Sequence, residues 1–305
     1  MNRLEREDWV SIILEQRLQN PKRPRQLAAR RKRRDGWQKE KLVILAADHP
    51  ARRETGGGGD LWAMADRGEL LHRIASVLMQ PGIDGLLATP DLFDELFLIN
   101  EWVTEKGGPD LLDGKVLIGS MNRGGLAGTA FELDDFVTAY TAEEIERMGL
   151  DGGKLLLRLD PGTRDCARTL GYCNDALNAL ADQGLPQFLE PLSIPRSSDE
   201  MVRLVGVATG LGRTTEGRWL KLPMTAEFDR VAQATTCPIV LLGGGKPGRT
   251  EELLKDVRRC MEAGPHVRGL MIGRGVLFPE DGEAPETVAA RLAEVIHGKT
   301  AKEVV

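Results

Sequence analysis

Cysteine and histidine are scarce: four of each occur in 305 residues. Cys166, Cys173, Cys237 and Cys260 form no Cys-x-x-Cys pair, which argues against a Cys/His zinc site. So cysteine-poor a chain of this length does not suit a disulfide scaffold either, and reduced, buried or half-buried thiols are expected. Long apolar runs are also missing, and no stretch reaches the ~20 residues that span a bilayer. The first residues include Arg3, Glu5, Arg6, Glu7 and Asp8, without the apolar segment of a secretory signal. The expectation is a cytoplasmic protein with no membrane partner. A net charge of −5 gives the whole molecule no attraction to nucleic acid. No His/Asp/Glu cluster has ligand spacing, so neither a metal nor a cofactor is expected.

What is present is a rhythm. From Lys41 onward, short apolar runs alternate with longer helical patterns. Candidate strands are 42–47, 84–88, 115–119, 154–159, 187–191, 219–222, 238–242 and 269–272. Helical patterns fill the intervals, two of them opened by capping-box signals at Thr141–Glu144 and Ser197–Glu200. Eight strands alternating with helices predict an α/β fold, a closed (β/α)8 barrel over residues 41–298. Residues 1–40 read as an N-terminal helical extension and basic linker, and 299–305 as a tail. In the extension, Trp9, Ile12, Ile13 and Leu18 can share one apolar stripe. The basic run from Lys22 to Arg34 reads better as a solvated linker than as a polyanion-binding arm, because no aromatic residues interleave with its charges. The glycine tract 56–59 reads either as a lid or as a surface loop.

Three successive apolar strands each carry an ionisable group. Lys154 opens Lys154-Leu155-Leu156-Leu157-Arg158-Leu159, Glu190 sits in Phe188-Leu189-Glu190-Pro191, and Lys221 sits in Trp219-Leu220-Lys221-Leu222-Pro223. Side chains alternate along a strand, and charged groups cannot pack beneath helices without large cost. Lys154, Arg158, Glu190 and Lys221 therefore all point into the barrel, on neighbouring strands. A lysine desolvated beside other cations loses its proton readily and can attack a carbonyl to form a Schiff base. Glu190 and Lys154 are then the proton-handling partners. Asp48 ends the first strand, where barrel enzymes place functional residues, with His49 as a secondary candidate. Gly243, Gly244 and Gly245 after the seventh strand, with Gly273 and Arg274 after the eighth, fit a phosphate seat. Arg123 and Arg196 are further anion contacts or solvated loop charges.

With these residues assembled, the chain resembles the class I (Schiff-base) aldolases, and among them the tagatose-bisphosphate and sulfofructose-phosphate aldolases. The resemblance rests on Lys154–Pro161, Phe188–Leu192, Lys221 and Ala46-Ala47-Asp48, and it spans roughly residues 42–276. The chain also resembles an actinobacterial branch of aldolase-like barrels associated with inositol catabolism. That resemblance implies a metal-independent lyase of carbohydrate metabolism with Lys221 as the Schiff-base position. Its partner is a phosphorylated ketose or keto-acid sugar. The implied candidate is 2-deoxy-5-keto-gluconate 6-phosphate, cleaved to dihydroxyacetone phosphate and malonic semialdehyde. A homo-oligomer is expected, with the N-terminal helix as its candidate contact. Two other readings stand beside it: a sugar-phosphate isomerase or epimerase using Glu190 as base, and a non-catalytic barrel that binds a sugar phosphate.

Overall fold

The structure, a computed structural model, describes residues 8–123, 125–160, 162–164, 166–193, 197–243 and 249–298. Two helices come first, α1 (Trp9–Gln19) and α2 (Arg23–Ala28). The barrel follows as β1 (Leu42–Ala46), α3 (Arg67–Leu78), β2 (Gly85–Ala88), α4 (Pro90–Glu105), β3 (Val116–Ser120), α5 (Ala142–Arg147), β4 (Gly152–Leu159) and α6 (Cys166–Asp182). It closes with β5 (Gln187–Ser193), α7 (Ser198–Gly210), β6 (Arg218–Pro223), α8 (Phe228–Gln233), β7 (Ile239–Leu242), α9 (Thr250–Met261), β8 (Val267–Ile272), α10 (Arg274–Leu277) and α11 (Pro285–His297). All eight strands are parallel, each pairs with the next, and β8 returns to β1. The chain is an eight-stranded (β/α)8 barrel, as the alternation predicts.

Strand parity divides the core in two. Val43, Leu45, Leu86, Leu117, Leu155, Leu157, Leu189, Leu220 and Leu241 face outward and pack with the helices. Leu42, Ile44, Leu87, Val116, Ile118, Phe188, Trp219, Val240 and Met271 fill the lower barrel interior. The predicted strands match the observed ones closely, although β4 and β8 each begin two residues earlier than expected. The Thr141–Glu144 capping box is made in full. At Ser197 the hydroxyl accepts from Glu200 N–H at 3.1 Å, while the Glu200 carboxylate pairs with Arg203.

The N-terminal segment departs from the expectation of a solvated linker. Arg31 is buried and donates to the carbonyls of Lys115 and Gly149 and to Asp151, at 2.7–2.8 Å. Arg33 joins Asp151, and Arg34 pairs with Asp84 at 2.8 Å. Those aspartates precede β4 and β2 and also accept strand N–H groups, from Leu117 and Val43. Trp37 then closes the barrel floor, with its ring 6.1 Å from Phe188 and 5.9 Å from Trp219. The end of the basic run, Arg31–Arg34, is thus a clamp, because the carboxylates that anchor it to the barrel, Asp151 and Asp84, lie 50–120 residues away in sequence, out of reach of local pattern reading. In α1 the expected stripe holds for Trp9 and Ile13, while Leu18 is exposed together with Val10 and Leu14. The glycine tract contains a tight turn closed by Gly57–Asp60 hydrogen bonds; a Cβ on Gly57 would meet Phe278 at 2.9 Å. The four cysteines are buried and unpaired.

Candidate active site

The three inward ionisable groups meet where the barrel interior turns polar. Lys221 on β6 and Glu190 on β5 are 3.0 Å apart, Nζ to Oε2. Lys154, on β4, reaches the same oxygen at 2.7 Å and spans the interior to Asp48 Oδ2 at 3.0 Å. That last contact links residues 106 apart in sequence on opposite walls of the barrel. All four side chains are at most 2% exposed. Asp48 Oδ1 has no hydrogen-bond partner among the described residues and lies 3.9 Å from His49 Nδ1.

Electrostatics separate the two lysines. Burial disfavours both ammonium ions. For Lys154, the two flanking carboxylates, Asp48 and Glu190, overcome burial and hold its proton more tightly than usual. For Lys221, burial wins, with help from the Lys154 charge, and proton affinity falls despite Glu190. Burial pushes Glu190 up, but Lys154 and Lys221 outweigh it and bring its pKa down to about 2. Asp48 lies well below the usual carboxylate range because Lys154 and Lys221 outweigh its burial. The sequence left either Lys154 or Arg158 as the cation beside Lys221. The structure pairs Arg158 with Glu132 on the β3–α5 loop, and Lys154 is the neighbouring cation.

Around this cluster lies a cleft lined by His49, Arg52, Gly243, Gly273 and Arg274, among others. His49 does not continue β1 as an extended residue. It turns into helical backbone, and its ring rests against Gly273, where a Cβ would meet it at 2.5 Å. Burial lowers the pKa of His49 to about 3, which leaves it neutral. Gly243 has a packing reason as well, since a Cβ there would meet Ile272 at 2.2 Å. Arg274 pairs with Glu54 at 3.1 Å, a partner that sequence reasoning missed. Arg123 donates to Thr138 Oγ1 at 2.9 Å in its own loop. Gly244, Gly245 and Arg196 lie outside the described residues. Arg52 was also missed: a lone loop arginine reads by default as solvated, yet this one is 8% exposed. Larger cavities of about 580 and 600 Å3 lie at the barrel floor and beside Tyr140. The convergence of buried charge, rather than volume, marks the site.

The model of the Cgl0159-like family matches residues 40–292. The chain belongs to that family. The crystal structure of Cgl0159 from Corynebacterium glutamicum (Brevibacterium flavum) is 34% identical, with a TM-score of 0.86 over 96% of this chain and 98% of that one. A Saccharolobus solfataricus protein described as an uncharacterized aldolase is 25% identical over 271 residues, 86% of this Cgl0159-like chain and 91% of its own. In fold, the Cgl0159-like barrel is similar to an archaeal fructose-1,6-bisphosphate aldolase whose catalytic Lys is covalently bound to the carbinolamine intermediate. That likeness has a TM-score of 0.62 at 20% identity and covers 90% of this chain and 100% of that one.

Proposed function

We propose that the chain is a class I aldolase that makes or breaks a carbon–carbon bond in a phosphorylated ketose or keto-acid sugar. The observation that carries this reading is the asymmetry between two buried lysines on one carboxylate. Lys154 is clamped by two carboxylates and keeps its proton; Lys221 has one partner and releases its proton more readily. A neutral amine is the nucleophile a ketone requires. Lys221 Nζ attacks the substrate carbonyl to give a carbinolamine, and loss of water leaves a protonated imine. The hydroxyl proton on the carbon beyond the breaking bond passes to a carboxylate. The bonding electrons flow into the imine, leaving an enamine and a free aldehyde. Protonation of the enamine and hydrolysis then release the ketone and restore Lys221.

The neighbours have distinct shares. Glu190 is a weak base while two ammonium ions face it. It becomes more basic whenever Lys221 is uncharged, as the free amine or the carbinolamine, and there it takes up the proton released by the attacking amine and returns it to the departing water. Lys154 remains charged and acts electrostatically. Asp48 Oδ1, without a hydrogen-bond partner among the described residues, is the acceptor for a substrate hydroxyl in this reading. The backbone at Gly243 and Gly273, with Arg274, is the phosphate seat of this reading, reached when phosphate displaces Glu54 from Arg274. Among substrates, 2-deoxy-5-keto-gluconate 6-phosphate and fructose 1,6-bisphosphate are the first to assay. Isomerisation with Glu190 as base differs in one outcome: Lys221→Met would then keep substantial activity.

The test is borohydride reduction in the presence of dihydroxyacetone phosphate, followed by mass mapping. The expected result is one label on Lys221 and loss of activity. An enzyme that resists borohydride and loses activity in chelator would overturn the reading.

A further inference from the structure

We infer that Arg52 is a second anion seat, deep in the cleft, for an acidic group carried next to the reacting carbonyl of the substrate. The inference rests on the Schiff-base reading only for which carbonyl reacts. Pro50–Arg52 form one tight helical turn after β1, and Arg53 ends it in the left-handed region at φ 63°. Arg53 is the one non-glycine residue with positive φ among those described, and such backbone persists where the surroundings over-determine it. The turn is pinned from both sides. Arg52 N–H donates to the His49 carbonyl at 2.9 Å, Ala127 N–H donates to the Arg52 carbonyl at 3.0 Å, and Arg53 Nη1 donates to the Ala127 carbonyl at 3.0 Å. This fixes the Arg52 side chain against the cleft that Lys221 and Glu190 also line.

Charge balance supplies the ligand chemistry. The buried groups here are two carboxylates, Asp48 and Glu190, and three basic side chains, Lys154, Lys221 and Arg52. Both carboxylates hydrogen-bond to lysines. Arg52 makes no ion pair among the described residues, and its buried Nε has no hydrogen-bond partner. A guanidinium cannot relieve burial by losing its proton, so it needs an anion. With Lys221 as the neutral amine these charges balance, and forming the protonated imine there leaves one surplus positive charge for an anion to offset. Arg274, by contrast, is half-exposed and already paired with Glu54. Arg52 is therefore the unsatisfied cation nearest the chemistry, with the planar fork that takes a phosphate or carboxylate through paired hydrogen bonds.

Three ketones test this by borohydride trapping at Lys221: neutral dihydroxyacetone, dihydroxyacetone phosphate and pyruvate. One charged ketone should label Lys221 at a concentration at least about tenfold below that needed for dihydroxyacetone. That advantage should disappear in Arg52→Gln and return in part in Arg52→Lys, while labelling by dihydroxyacetone persists and shows that the site is intact. Preference for the phosphate or for the carboxylate identifies the anion. Equal labelling by all three ketones, or an advantage that survives in Arg52→Gln, overturns the inference. If no ketone labels Lys221, the aldolase reading fails separately. Calorimetry with inorganic phosphate and with acetate then decides on Arg52. Binding weakened at least about tenfold in Arg52→Gln supports the seat, and absent or unchanged binding refutes it.

Discussion

Replacing each buried lysine by methionine separates the structural cation from the proposed nucleophile. In Lys154→Met, Glu190 keeps Lys221 at 3.0 Å, but Asp48 loses its hydrogen-bond partner while 1% exposed. Removing one member of a buried ion pair costs about 3–5 kcal/mol. In Lys221→Met, Glu190 keeps Lys154 at 2.7 Å and no carboxylate is orphaned. The fold already works against the Lys221 ammonium, so an apolar side chain of similar volume should change stability by less than about 1 kcal/mol. For a domain of this size, 1 kcal/mol moves the melting temperature by roughly 2 °C. Lys154→Met should therefore melt about 6–10 °C below wild type, and Lys221→Met within about 2 °C of it. Circular dichroism melts, with guanidinium midpoints as a second measure, read the difference. Lys221→Met should at the same time abolish borohydride trapping. Equal melting temperatures, or a larger loss in Lys221→Met, would refute the division of labour between the two lysines.

Acid should destabilise the protein in two windows. His49 is held near 3 and Glu190 near 2, both below their ordinary values of 6.5 and 4.5, so the unfolded chain binds these protons first. Stability should decline as pH falls from 6.5 toward 3 for His49, and from 4.5 toward 2 for Glu190. In His49→Gln the urea midpoint should lose its slope between about pH 6.5 and 5, and an unchanged slope would count against a neutral buried imidazole. Arg31→Ala should cost about 2–4 kcal/mol, because it exposes no new surface charge but leaves two floor carbonyls unpaired and weakens the hold on Asp151. Thermal melts check this, and catalysis measured well below the melting temperature should stay unchanged.

Much of the architecture is legible in local pattern. Strand parity alone puts Lys154, Glu190 and Lys221 on the inner wall, because alternation along a strand is a property of the backbone and charge cannot lie under helices. The same reasoning left Lys154 and Arg158 both open as the neighbour of Lys221, and Arg158 pairs elsewhere. Its partner, Glu132, comes from a loop that carries no periodicity. Arg52 and Glu54 escaped for a similar reason: nothing around them in sequence distinguishes a loop arginine or glutamate at the barrel mouth from one in solvent.

Local spacing by itself determined the eight-fold alternation, the inward face of each strand and the ionisable groups on it. Only the closed barrel decided which charges touch. It brought Asp48 to Lys154 across the interior, turned His49 and Arg52 into the cleft, and made a clamp of a basic run that resembled a linker. The physical reason is that burial and parity act over a few residues. Proton affinity and ion pairing, by contrast, depend on groups tens to more than a hundred positions away, which come within about 3 Å only when the sheet closes.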